Sequence, residues 1–267
     1  MFKKFEYKNK LVLITGASSG IGAALAREFA RYGAKIALVG RDAQRLASIK
    51  TEISDRGVLV HDFVFDLNHV SGVDQLIEDV ENHFKQQVDV LVNAAGIAVL
   101  GFVNEIPLKE YYQTMTINFF APLALIKKVL PHMKKRGGQI INISSGVAEK
   151  GFPGVSAYCV GKSALNILTE SLFLEMTDKN VDVISISPGL VTTPFASKIP
   201  IYGDLKETFT KGQGQSADFV AQQIVNASYH RKKKLVLTLR TKMLKHLIYW
   251  CPSLLNSILV KASRRSK

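Results

Sequence analysis

Cysteine is scarce in this chain of 267 residues. Cys159 and Cys251 stand alone, which excludes a disulfide framework and any cysteine-based metal centre and points to a reducing compartment. The histidines His61, His69, His83, His132, His230 and His246 are scattered singly, so no metal is expected. No apolar stretch reaches the roughly twenty uninterrupted residues that a membrane-crossing helix needs. The charged N-terminus lacks the apolar core of a secretory signal, so a cytoplasmic home is expected. Acid is missing from the end of the chain: nothing acidic follows Asp218, whereas residues 231–267 hold eleven Lys or Arg. The formal net charge of +13 is thus mostly a C-terminal property, and it speaks of anionic partners such as a membrane surface or an acidic substrate. Nucleic acid is not expected among them, because no nucleic-acid-binding module accompanies the charge.

What is present is alternation. Apolar runs at 11–14, 35–39, 58–65, 88–92, 139–143, 181–186 and 235–239 read as strands, and amphipathic stretches at 20–32, 42–56, 69–86, 107–136 and 157–179 read as helices between them. In the first helix Ile21, Leu25 and Phe29 recur at i, i+4 and i+8. Apolar strands that each feed a helix predict repeated βαβ units around a parallel sheet covered on both faces. The expected fold is therefore α/β, a Rossmann-type doubly wound parallel sheet of seven strands flanked by helices. With 47% hydrophobic residues and no linker or repeat, one domain is expected over residues 1–240, followed by a basic helical extension over 241–267.

After the first strand, Thr15-Gly16-Ala17-Ser18-Ser19-Gly20-Ile21-Gly22 opens the first helix. Glycines there let the backbone approach a pyrophosphate, and the helix start offers N–H donors and the positive end of its dipole. A plain tight turn would look the same, and the G-x-x-x-G-x-G spacing differs from the general dinucleotide fingerprint. The turn is followed in order by Asp66-Leu67, Asn93-Ala94-Ala95-Gly96, Asn118, Ser145, Tyr158-x-x-x-Lys162 and Pro188-Gly189. This set, spread over about residues 10–195, resembles the short-chain dehydrogenase/reductase family.

The resemblance implies hydride transfer between a nicotinamide cofactor and a carbonyl or alcohol group. It assigns cofactor binding to Gly16, Ser18, Ser19, Gly20, Ile21 and Gly22 at the phosphates, and to Asn93, Ala94, Ala95 and Gly96 as the floor of the site. Pro188, Gly189, the Val191 backbone and Thr193 are expected at the nicotinamide end. Asp66 and Leu67 are expected at the adenine, although an Asp before Asn68-His69 could equally cap the next helix. Where an NAD-preferring chain carries an acid at the end of the second strand, this one has Gly40-Arg41. Arg41 can pair with a 2′-phosphate, with the Ser18 and Ser19 hydroxyls in reach, which points to NADP(H).

Tyr158 and Lys162 stand four apart, so on a helix they share a face. A tyrosine hydroxyl titrates near 10, and a neighbouring cation makes it a usable acid and base at neutral pH. Ser145, at the end of the fifth strand, can polarise a carbonyl; strand alternation turns Ser144 to the other face. The family resemblance gives Asn118, within the predicted helix at 107–136, a part in holding a water that links the lysine to solvent. Cys159 points off the catalytic face and is expected to pack.

Residues 194–215 form a long connection in the family's substrate-loop position. Its apolar first half, with Phe195, Ile199, Ile201 and Tyr202, suggests a hydrophobic substrate, and Lys211-Gly212-Gln213-Gly214-Gln215 suggests a mobile lid. Further on, Met243, Leu244, Leu247, Ile248, Tyr249 and Trp250 form one amphipathic helix, broken by Pro252, and Leu254, Leu255, Ile258, Leu259 and Ala262 form another. Three roles fit these basic segments: a cap over the substrate cleft, a contact in a homodimer or homotetramer, or an interfacial anchor on an anionic membrane surface. The rival to the oxidoreductase is a catalytically silent NADP(H)-binding sensor or scaffold. A complete Asn118, Ser145, Tyr158 and Lys162 set argues against that rival.

Overall fold

The computed structural model describes residues 4–203, 205 and 214–265, with side chains as far as Lys261. Seven parallel strands form one sheet: β1 (Leu11–Thr15), β2 (Lys35–Gly40), β3 (Val60–Val64), β4 (Val90–Asn93), β5 (Gly138–Ile143), β6 (Val181–Ser187) and β9 (Lys234–Val236). Their order is β3-β2-β1-β4-β5-β6-β9. The short strands β7 (Val191–Thr192) and β8 (Gln215–Ser216) pair with each other apart from it. The helices are α1 (Gly20–Arg31), α2 (Ala43–Ser54), α3 (Val73–Phe84), α4 (Leu108–Met115), α5 (Ala121–Arg136), α6 (Ser156–Glu175), α7 (Ala217–Tyr229), α8 (Leu239–Trp250) and α9 (Pro252–Arg265).

Strand periodicity explains the layers. Along β1, Val12 and Ile14 join a core shared with α1, α2 and α7, while Leu11 and Leu13 join the opposite core with α3, α5 and α6. With both faces covered, every strand position is better apolar, hence the unbroken hydrophobic runs. The strand order reverses between β1 and β4, and such a switch point opens a crevice beyond the carboxyl ends of those strands. The glycine turn and the Asn93 segment leave the sheet there.

Two expected boundaries and one of the two readings of Asp66 are corrected. The single helix at 107–136 is divided into α4 and α5 by a π-helical turn over Thr116–Phe120, a device that recurs at functional sites, and Asn118 sits inside it. The last strand ends at Val236 and not at 239, because Thr238 caps a helix instead: its Oγ1 accepts a hydrogen bond from the Thr241 N–H at 3.1 Å, and α8 begins at Leu239. Asp66 does not cap α3, which follows Gly72 without a side-chain cap; its Oδ1 accepts from the Asn68 backbone and side chain, each at 3.0 Å. Pro252 breaks α8 as expected and then opens α9, where a missing N–H costs nothing.

Candidate active site

β1 runs directly into the glycine turn, and two short approaches explain its residue types. A Cβ on Gly16, whose φ is +67°, would stand 2.8 Å from the Ala95 Cα, and one on Gly22 would stand 2.3 Å from the Gly16 carbonyl oxygen. The turn and the Asn93-to-Gly96 segment thus pack backbone on backbone. Thr15 locks them together: its Oγ1 donates to the Val92 carbonyl at 3.3 Å and accepts from the N–H groups of Ala94 and Ala95 at 3.1 and 3.2 Å. The sequence reading missed this clamp, whose signal was a hydroxyl at the end of an otherwise apolar central strand. Ser19 precedes α1 without a side-chain cap, and no acid occupies the first turn, so the helix start is open to an anion. The cradle fits a pyrophosphate.

Neighbouring segments extend the crevice in both directions. A Cβ on Gly20 would stand 3.2 Å from the Thr193 Cβ, which brings the segment after β6 to the phosphate turn. On the other side, the Ala17 N–H donates to the Val39 carbonyl at 3.1 Å, and a Cβ on Gly40 would stand 3.5 Å from Ser18 Oγ. Arg41 is exposed just beyond. Burial pushes the Asp66 carboxyl up, but the Asn68 hydrogen bonds and the nearby Arg41 charge hold it below the usual carboxylate range. Below the crevice, Asn93 Nδ2 donates to Asn142 Oδ1 at 2.8 Å, and Asn142 Nδ2 donates to Thr169 Oγ1 at 2.9 Å. This buried chain ties β4, β5 and α6 together.

The catalytic candidates converge beside that floor. Ser145 lies two residues past the end of β5, and its Oγ accepts from the Val147 N–H at 3.4 Å, capping a short 3-10 turn over Gly146–Glu149. Ser144 is buried, and its hydroxyl has no partner among the described residues. Tyr158, in the first turns of α6, is half-buried; burial raises its hydroxyl above the ordinary tyrosine value, and a hydrogen bond with the Ser145 side chain opposes the rise. One turn further on, Lys162 is only 3% exposed, and its Nζ donates to the Ile143 carbonyl at 2.8 Å. Burial lowers Lys162 from 10.5 to about 8. The Asn118 side chain grips Ile97 twice, Oδ1 accepting from its N–H and Nδ2 donating to its carbonyl, each at 2.9 Å. A Cβ on Gly96 would stand 3.2 Å from Lys162 Nζ and 3.3 Å from Asn118 Oδ1, so the ammonium and the amide meet over that glycine. Cys159 is buried in α6.

The entrance is apolar on one side and walled by the C-terminal extension on another. The Phe195 ring lies 6.2 Å from the Tyr158 ring, centroid to centroid. Of the expected lid, residues 204 and 206–213 lie outside the described residues, including Lys211, Gly212 and Gln213. α8 packs its inner face on two loops of the site: a Cβ on Gly146 would stand 2.9 Å from Thr241 Cγ2, and one on Gly189 would stand 2.8 Å from Thr238 Cγ2. Lys245 Nζ reaches Glu149 Oε1 at 2.5 Å, four residues beyond Ser145. Sequence reasoning did not find these contacts. Among the described residues, no helix is long and apolar enough to cross a membrane, and no group of three or more His, Cys, Asp or Glu is placed to hold a metal ion.

Residues 10–201 match the model of the short chain dehydrogenase family. A fatty acyl-CoA reductase from Acinetobacter baylyi is 35% identical over 221 residues, covering 82% of this chain and 74% of that protein. The structure of a short-chain dehydrogenase from Streptomyces avermitilis superposes with a TM-score of 0.82 at 28% identity, covering 97% of this chain and 100% of the other. An alcohol dehydrogenase from the archaeon Thermococcus sibiricus, complexed with 5-hydroxy-NADP, gives a TM-score of 0.76 at 26% identity and covers 86% and 96%. This chain belongs to the short-chain dehydrogenase/reductase family of oxidoreductases.

Proposed function

We propose that the chain is an NADP(H)-dependent oxidoreductase acting on a carbonyl or alcohol group of a hydrophobic small molecule, lipid-like or steroid-like, with Tyr158 as general acid and base. The convergence of Ser145, Tyr158, Lys162 and Asn118 on one crevice carries this reading. Gly16, Gly20, Ile21 and Gly22 would hold the pyrophosphate; Arg41, Ser18 and Ser19 the 2′-phosphate; Asp66 and Leu67 the adenine. Asn93, Ala94, Ala95 and Gly96 would floor the site, and Pro188, Gly189, Val191 and Thr193 would meet the nicotinamide end. When bound, the nicotinamide supplies or accepts a hydride.

The chain's own residues handle the proton and the charge. In reduction the Ser145 hydroxyl donates a hydrogen bond to the carbonyl oxygen, and the Tyr158 hydroxyl gives it a proton as negative charge develops. The Lys162 cation stabilises the phenolate left behind. Asn118 fixes the Ile97 backbone beside that cation. Phe195 beside Tyr158 and the name of the acyl-CoA reductase relative both support an apolar substrate.

In this reading the domain spans residues 1–240, followed by the basic amphipathic helical extension at 241–267 on or near it. Val160, Ile167 and Leu174 recur every seven residues along α6 at 51%, 61% and 71% exposure, which supports a homodimer or homotetramer that covers this face. The chain works in the cytoplasm, with its basic C-terminus toward an anionic membrane surface.

Titration distinguishes the cofactors. Arg41→Ala is expected to weaken NADPH binding about 10- to 100-fold, the worth of a charge-assisted hydrogen-bonded pair, and to leave NADH binding almost unchanged. Tighter binding of NADH than NADPH by the unaltered chain would overturn the preference. For the reaction, NADPH oxidation is expected with apolar aldehydes or ketones, and NADPH binding without turnover of any of them would reduce the chain to a cofactor binder.

A further inference from the structure

The outer face of α8 is not used by the site its inner face supports. Leu239, Met243, His246 and Trp250 fall at i, i+4, i+7 and i+11, one side of the helix, with Thr241 and Lys245 on the opposite side against the catalytic loops. Leu239 is 71% exposed, Met243 57% and Trp250 81%. Tyr249 and the cations Arg240 and Lys242 flank the stripe. A shallow apolar depression opens beside it, lined by Lys242, Lys245, His246, Tyr249 and Trp250. α9 carries a second exposed pair at helical spacing, Leu254 and Ile258, followed by Lys261.

We infer that α8 is an interfacial helix: its outer stripe lies on an anionic phospholipid surface, and its inner face sets the mouth of the active site beside that surface. Charge decides the occupant. Arg240, Lys242 and Lys261 enter no ion pair among the described residues, and no acid follows Asp218 in the chain to neutralise them. A second copy docking through the same face would set like charges against each other, whereas anionic headgroups complement them. Trp and Tyr beside cations on an exposed helix suit the headgroup boundary, where ring edges meet water and ring faces meet acyl chains. Lys245 to Glu149, Thr241 against Gly146 and Thr238 against Gly189 fasten the helix to both walls of the crevice, so the docked face and the substrate entrance move as one body. That delivery of a membrane-dissolved substrate rests on the oxidoreductase reading; the docking itself does not.

Trp250 is the only tryptophan, so its fluorescence reports the stripe directly. The full chain is mixed with vesicles of phosphatidylcholine alone or of phosphatidylcholine with phosphatidylglycerol, and co-sedimentation and emission are followed together. Binding is expected to be about ten-fold or more stronger with phosphatidylglycerol, with a blue shift of Trp250, quenching by brominated acyl chains and release by salt. Arg240→Glu with Lys242→Glu, and separately Met243→Ser with Leu239→Ser, should each lose about ten-fold in binding while circular dichroism stays unchanged. No sedimentation with anionic vesicles, or sedimentation without a Trp250 shift, would overturn the inference. So would a blue shift that appears without lipid and follows a monomer–dimer equilibrium in analytical ultracentrifugation. Vesicle binding by a chain that turns over no carbonyl would sink the oxidoreductase reading alone, and NADPH-dependent turnover without vesicle binding would sink the docking alone.

Discussion

Tyr158→Phe is expected to lower carbonyl reduction by about 10³-fold and to leave NADPH affinity within about two-fold, because the change removes the proposed proton donor and nothing else. The phenyl ring keeps its place beside Phe195, and Ser145 remains to polarise the carbonyl. Burial holds the Tyr158 hydroxyl above its ordinary value, so in the free protein it stays protonated through the neutral range, as a donor must. Lys162 sets the other limit. With its value lowered to about 8, the cation is present below that pH and lost above it. The kcat/KM for reduction should therefore fall as pH rises through about 8. An unchanged rate in Tyr158→Phe would remove Tyr158 from the chemistry.

Lys162→Met is expected to abolish turnover to a similar degree and yet to make the protein more stable. The folded state must carry a buried cation whose value falls from 10.5 to about 8. A group lowered in this way costs stability in full below pH 8, and the cost fades as pH rises from 8 towards 10.5. At pH 7 it amounts to about 3 kcal/mol. Methionine fills similar volume but cannot donate to the Ile143 carbonyl, and losing that charge-assisted, buried hydrogen bond costs about 2 kcal/mol. The net gain of about 1 kcal/mol corresponds to a Tm increase of about 3 °C for a chain of this size. Melting curves at pH 7 and pH 10 check the sign: the difference should shrink at the higher pH. A Lys162→Met protein that melts below the unaltered one at pH 7 would contradict this account of the buried lysine.

Much of this was legible in the chain because the signals are local. A parallel sheet covered on both faces makes each strand an unbroken apolar run, so β1, β2, β4, β5 and β6 could be placed within a residue or two. The glycine turn and the Tyr158–Lys162 pair declare themselves by spacing. What stayed hidden depends on single residues or distant partners. The π turn around Asn118 adds one residue to a helical repeat whose apolar positions Ile117, Ala121 and Leu125 still recur every four, so periodicity runs through it undisturbed. Leu235 to Leu239 is apolar apart from Thr238, as a buried strand would be, and only the Thr238 cap shows that the chain turns into a helix there. Asp66 has the right neighbours for a cap but spends its carboxylate on Asn68. The docking of Thr238, Thr241 and Lys245 on Gly189, Gly146 and Glu149 joins segments far apart in sequence, and glycines in cofactor motifs gave no hint that a C-terminal helix rests on them.

In the proposed reaction this crevice moves a hydride between NADPH and an apolar carbonyl with Tyr158 supplying the proton. Its most direct test uses NADPH deuterated at the nicotinamide C4, an apolar ketone or aldehyde, and mass spectrometry of the product. An alcohol carrying one deuterium on the former carbonyl carbon is expected from the unaltered chain, and almost none from Tyr158→Phe. Deuterated NADPH that binds but yields no labelled alcohol from any carbonyl tried, or equal label from both proteins, would contradict it.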